Sequence, residues 1–539
     1  MSSAGFDVVV VGGGHNGLVA GGLLARRGAR VTVLERRSQV GGAATTEQPW
    51  GPEFNVTALS YVVSLMPPSI VQELELARHG YKVYPQRGYF VPYRDGRALQ
   101  LPDDDPARRR EQIAQFSKAD ADAYERWDSW LGGLADVLGP LLTTIPPRVG
   151  SRRPRDLVDQ LQLAWRLRRL GVDGTADVTR LFTMSIADLL DEYFASPQMQ
   201  GVLAVSGVIG TWAGPRSAGT AYVMAHHKIG DVGEGQLGSW GFPEGGMGAV
   251  SRAMRDAAIA NGATVRTDAP VARIDAHNGR VRGVTLESGE EIPADIVVAA
   301  THPKITFLEH LDPALLPTDF VERIERWRSR SGTVKVNVAV DRLPEFTARS
   351  GFDPEVHGGT IVLAESLDDI EGAFQDAVAG RPAAMPFADI CIPSVFDPTL
   401  APEGKHVVSM FTQWVPHAYA TSPDSGALDA YADRVIARVE AVAPGFTDSI
   451  LHRQVIGPYE MEHEYGLVGG NIFHGELSPD QMFHMRPAPG YADFRTPIAG
   501  LYQASSATHG GGGVTGIPGL HATRQIMRDR RRGGTRSRH

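Results

Sequence analysis

At 539 residues the chain is too long for one compact core, and an apolar content of 42% with a charged content of 21% suits a folded protein of two intertwined units. A net charge of -9 argues against general nucleic-acid binding, and the single cysteine, Cys391, excludes an intrachain disulfide and a redox-active Cys-x-x-Cys pair. No signal-peptide pattern precedes the first strand and no apolar run is long enough to span a bilayer, so the expected location is cytoplasmic.

The first elements carry the densest signal. Residues 8–11 form the β-branched apolar run of a parallel strand covered on both faces. Gly12, Gly13 and Gly14 then turn the chain into a helix expected over residues 16–27, and a second strand over 30–34 ends at Glu35. In such a unit Gly12 permits the turn, Gly14 lets a pyrophosphate approach the backbone, and Gly17 lets the helix pack on the strand. The helix amides and the positive end of its dipole meet the phosphates. Ala20 and Gly21 allow close packing, and Gly28 ends the helix in a left-handed cap. Glu35 stands where an acid accepts hydrogen bonds from a ribose and disfavours a 2'-phosphate, leaving FAD or NAD. Residues 41–46, GGAATT, resemble the second glycine motif of the FAD-binding glutathione-reductase-like superfamily, in which backbone amides continue round the pyrophosphate.

Residues 157–170, with Trp165 and arginines at 152, 153, 155, 166, 168 and 169, read as a basic amphipathic segment. It is either a solvated helix face or a peripheral contact with an anionic membrane. From Gly241 a glycine loop, a helix and a strand are expected; Gly245, Gly246 and Gly248 are no second fingerprint, because no buried strand is expected before them. Residues 271–275 and 281–287 read as strands joined by an Asn278-Gly279 turn, followed by strands at 290–292 and 294–300. Lys335 lies in a strand-like alternation, where its plain reading is an outward-facing side chain on a half-buried strand. His226, His227, His463, His474, His484 and His509 fall where a substrate side is expected, without the cysteine or carboxylate spacing of a metal site. In residues 500–529, Gly511, Gly513 and Gly516 satisfy G-x-G-x-x-G, yet no second strand and no acid follow. A strand feeding a glycine-rich helix N-terminus suits an anionic ring edge, such as the N1 and C2=O side of a reduced flavin. The basic tail at 528–539 is expected to be disordered.

The blocks at the start, middle and end imply an α/β chain. Its glutathione-reductase-like FAD-binding Rossmann domain is discontinuous (1–64, 237–305 and 491–539), with an inserted α+β substrate or cap domain (65–236 and 306–490). GGGHNGL at 12–18, GGAATTE at 41–47, FPEGGMG at 242–248, GGNIFHG at 469–475 and ATHGGGGVTG at 507–516 together resemble the phytoene-desaturase-like and flavin amine oxidase group. The likeness runs nearly end to end. It is closest to the subgroup of desaturase-type carotenoid ketolases and pyridine nucleotide-disulfide oxidoreductase domain-containing protein 2. Disulfide chemistry, which that last name suggests, is contradicted here by the lone Cys391.

The resemblance implies non-covalent FAD, with Gly12, Gly14, Gly17, Glu35, Gly42 and Thr45 on its ADP half and the Val271 backbone at the adenine. Ser506, Val514 and Thr515 would lie near the flavin, and His15, Asn16, Arg36, Ala43 and Gly513 complete the expected cofactor set. The segment round Lys335 resembles the amine oxidase stretch whose lysine holds a water against flavin N5, and His474 and His509 lie in family-like motifs at the flavin face. The activity implied is hydride transfer from an apolar, isoprenoid- or lipid-like substrate to flavin N5. With one nucleotide fold, the electron acceptor is expected to be oxygen, a quinone or another protein. A redox-neutral isomerase, an amine oxidase using Lys335 and a non-catalytic FAD-binding scaffold are the alternatives. The oligomeric state is not legible.

Overall fold

The computed structural model of the chain describes residues 6–232 and 238–531. Its first layer is a five-stranded parallel sheet in the order Leu501–Gln503, Ile296–Ala299, Asp7–Val11, Arg30–Leu34, Thr264–Arg266. The valine run is buried on both faces, as a parallel strand requires. Val8 and Val10 pack with the helices His15–Arg26, Met247–Ala260 and Ile517–Arg530, whereas Val9 and Val11 pack with the antiparallel strands Val271–His277 and Arg280–Leu286. The hairpin between those strands turns at Asn278 and Gly279, both at positive φ (49° and 69°), the backbone that an Asn-Gly pair favours.

The second layer is a seven-stranded mixed sheet in the order Ile450–Ile456, Thr333–Val340, His406–Gln413, Phe387–Cys391, Thr360–Leu363, Tyr89–Pro92, Ala98–Leu101. Thr333–Val340 is buried at every position, which corrects the half-exposed reading of this strand. Val334, Val336, Val338 and Val340 join a core that includes Tyr431 and Val435 of helix Ser425–Glu440, so the opposite row, with Lys335, faces inward as well.

Two expectations shift. A short buried strand, Gly241–Pro243, does precede Gly245, but it pairs antiparallel with Val83–Pro85 outside the parallel sheet. The last helix continues to Arg530, so only residues 532–539 of the basic tail are left, and these lie outside the described residues. The basic amphipathic segment forms helix Pro154–Arg168. Among the described residues no helix is long and apolar enough to cross a membrane.

Candidate active site

Strand Asp7–Val11 ends at Gly12, whose φ of 101° suits glycine and whose N–H donates to the Leu34 carbonyl at 2.8 Å, closing the turn over the second strand. Glu35 is buried there, its carboxylate accepting from the backbone N–H groups of Gly13 (2.9 Å) and Arg37 (3.0 Å). At Gly17 an added Cβ would stand 2.0 Å from the Gly12 oxygen, so only glycine lets the helix approach this closely. Gly14 differs: its Cβ would meet only the Gly41 oxygen, at 4.0 Å, and that of Gly42 only the Gly14 Cα, at 3.6 Å. The two glycine turns therefore enclose an open, backbone-walled space. Helix His15–Arg26 starts on this space with no capping side chain and no acid in its first turn, so its amides and dipole are available to an anion. These features fit the diphosphate of FAD. Asn16 Nδ2 donates to Ser506 Oγ at 3.0 Å and joins the turn to the C-terminal block.

A cavity of about 440 Å³ leads from this space to the seven-stranded sheet. Gly12, Gly14, His15, Asn16, Gly17, Glu35, Arg36, Gly42, Ala43, Val271, Ser506, Gly513 and Val514 line it, together with Lys335 and His474. Arg36 is held at the rim by the carbonyls of His463 and Glu464 (2.9 and 3.0 Å). Three expected residues are not on its wall. Thr45 turns its hydroxyl to Glu47 (3.2 Å), and the Thr515 hydroxyl is taken up within its own loop, donating to the Gly510 carbonyl (2.9 Å) and accepting from the Ile517 N–H (3.2 Å). His509 bonds through Nε2 to the Leu141 carbonyl (2.9 Å) and faces a separate cavity of about 1020 Å³ beneath helix Pro154–Arg168. Within one glycine loop, Gly513 and Val514 face the first cavity and His509 the other, a division that a linear motif does not reveal.

Lys335 is 1% exposed; its Nζ has no hydrogen-bond partner and lies 3.7 Å above the centre of the Tyr61 ring. Burial pushes its pKa down to about 7, while the nearby Cys391 and Asp389 act against this shift. Burial also raises Asp389, to about 6, against the opposing charge of Lys335 and a hydrogen bond from Tyr61. Neither Asp389 nor Tyr61 was expected from the sequence, and both line the cavity. On the same cavity wall His474 has an unpartnered Nδ1 and is held neutral, its pKa pushed to about 3 by burial, with His302 5.5 Å away between ring centres. Arg486, also unexpected, is buried and donates to the carbonyls of Phe473 (2.7 Å) and Ser506 (3.0 Å). Burial lowers its pKa to about 10, which leaves a fixed positive charge behind the cavity wall at neutral pH.

The model of the flavin containing amine oxidoreductase family matches residues 17–519. The chain is 39% identical to pyridine nucleotide-disulfide oxidoreductase domain-containing protein 2 of Rattus norvegicus, over 97% of this chain and 94% of that protein. It is 24% identical to the phytoene desaturase of Phycomyces blakesleeanus, over 97% of this chain and 84% of that protein. Among solved structures, cyclohexylamine oxidase from Brevibacterium oxydans shares the fold, with a TM-score of 0.56, 19% identity, and coverage of 97% of this chain and 99% of that one.

Proposed function

The chain belongs to the flavin-containing amine oxidoreductase family and is an FAD-dependent oxidoreductase, and on that premise we propose that it dehydrogenates or oxidises an apolar, isoprenoid- or lipid-like substrate. The observation that carries this reading is one continuous cavity. It joins the open space between the glycine turns to an inner end walled by Val202, Val205, Ile209, Val362 and Phe411. FAD, when bound, supplies the hydride acceptor at N5. The apolar wall orients the substrate and excludes water, so that a C–H bond is held against the ring. Lys335 or Asp389 would take the proton from the neighbouring carbon or oxygen, so that loss of a hydride and a proton together leaves a C=C or C=O bond. Arg486 places a fixed positive charge behind the wall at Ser506, where it would favour the added negative charge of a reduced flavin.

FAD in this reading is non-covalent, and the one cysteine, buried off the cavity wall beside Thr360, is not placed to form a thioether to it. The electrons leave to oxygen or a quinone. Helix Pro154–Arg168 rests on an anionic lipid surface. Leu157, Val158, Leu161 and Trp165 are exposed on it, and arginines stand at both its ends. The test is anaerobic mixing of the flavin-loaded protein with isoprenoids, polyenes and lipids. A substrate bleaches the visible flavin bands and loses two hydrogens; if no member of these classes bleaches them, the reading fails.

A second reading, amine oxidation, is favoured by the buried and unpartnered Lys335 Nζ. Peroxide released from simple amines, and lost in Lys335→Ala, would support it.

A further inference from the structure

Resting on the reading that this cavity holds FAD and an oxidisable molecule, we propose that the substrate carries a neutral hydroxyl on its apolar body. The hydroxyl is recognised by a polar subsite of Lys335, Asp389 and Tyr61.

The subsite follows from strand register. Lys335 is opposite Phe411, Phe411 is opposite Asp389, and Asp389 is opposite Val362. Partners in one row of a sheet share a face, and all four line the cavity. Adjacent strands lie about 4.8 Å apart, so Lys335 and Asp389 are separated by about 10 Å at the backbone with the Phe411 side chain between them. They do not reach each other: Nζ and the Asp389 Oδ1 are both buried without a hydrogen-bond partner. Tyr61 joins the two ends, its ring beneath the ammonium nitrogen and its hydroxyl interacting with the Asp389 carboxyl. The result is a donor and an acceptor flanking an apolar floor.

A pure hydrocarbon would leave both ends unsatisfied, the arrangement in which a buried polar group is most costly. The charge balance narrows the choice further. Lysine and aspartate sum to zero whether the proton rests on one or the other, so the pair offers no net charge to an ion. In the charged form of the pair an ammonium would confront Lys335, and a carboxylate would confront Asp389. A hydroxyl meets repulsion at neither end, since it can accept from Lys335 or donate to Asp389.

The test uses flavin-loaded protein titrated with 1-octanol and with octane, followed by the visible flavin spectrum and by calorimetry. Octanol is expected to bind saturably, at least about tenfold tighter than octane, which corresponds to one hydrogen bond made in place of an orphaned group. Asp389→Leu and Lys335→Met should each abolish that preference while octane binding stays. Tyr61→Phe should weaken the preference and covers the case in which a charged-to-apolar variant does not fold. Equal or tighter binding of octane, no saturable binding of octanol, or a preference unchanged in all three variants would overturn the proposal. Failure of the parent reading is separate: it shows as protein without stoichiometric flavin, or flavin that dithionite does not bleach, and calorimetry still compares the two probes.

Discussion

Burial leaves Lys335 with a pKa of about 7, so a large fraction is an uncharged amine at neutral pH, able to accept a proton from substrate. The kcat/KM of the enzyme should therefore rise with pH through about 7 and level off. Lys335→Met should flatten that limb while stoichiometric flavin is retained. The neighbouring Asp389, near 6, makes the limb a property of the pair. Stability carries the same signature. The folded value lies below that of an unfolded lysine, so the unfolded chain binds more protons between about pH 7 and 10.5, and stability rises with pH across that window. Denaturant titrations should show this rise in the wild type and its loss in Lys335→Met. Lys335 itself was legible, because its segment resembles a known stretch, but its depth was not: the alternation in VKVNVAV matches a half-exposed strand equally well. Asp389 and Tyr61 had no local mark at all. Only the pairing of Phe387–Cys391 with His406–Gln413, and of that strand with Thr333–Val340, sets Asp389 in the row of Lys335.

At the scale of elements, the glycine turn separates two kinds of glycine that look alike in a motif. Gly14 has an extended backbone (φ -68°, ψ 170°) and an open Cβ direction, so Gly14→Val should fold normally yet bind FAD at least about tenfold more weakly. Gly17→Ala should instead damage the fold, since its Cβ would overlap the Gly12 oxygen. Flavin affinity and melting temperature, measured on both variants, separate these outcomes. The first strand, helix and second strand lie within about a residue of their expected bounds, because their signals are local. Thr515 lies off the cavity wall with its hydroxyl bonded inside its own loop, a placement that the linear motif does not distinguish from a side chain turned to the cavity. Helix Pro154–Arg168 presents Leu161 (68% exposed) and Trp165 (55% exposed) to the outside. It should bring the protein down with vesicles containing about a third anionic lipid and not with neutral ones, an attraction weakened by salt. Leu161→Asp with Trp165→Ser should abolish sedimentation and leave flavin content unchanged; binding that survives both changes would assign the stripe to another partner.

At the scale of the molecule, three distant segments meet in one parallel sheet. The last of them is locked by Arg495, which pairs with Asp493 and Asp529, and by the Tyr502 hydroxyl, which donates to Asp529 at 2.9 Å. This topology could be read from the sequence because each segment carries its own glycine loop. The seven-stranded sheet could not, since its strands come from the chain in the mixed order that only tertiary packing sets. The assembled interior also buries imidazoles. Desolvation pushes His226, His474 and His521 to about 3 and His15 and His509 to about 4. All five fold neutral and would be protonated when unfolded below about pH 6.5, so stability should fall steeply from there towards pH 4. Each adds up to a tenfold loss in the folded ratio per pH unit. A melting temperature that stays level between pH 6.5 and 4.5 would contradict this.

The central claim is that the glycine turns and the cavity beneath them hold a working flavin. It is tested most directly by the visible spectrum of the purified protein, taken before and after acid precipitation and again under anaerobic reduction. The account predicts flavin bands that appear in the acid supernatant, match FAD at one per chain, and bleach reversibly. A colourless protein that takes up no FAD when it is supplied, or flavin that no reductant bleaches, would contradict it.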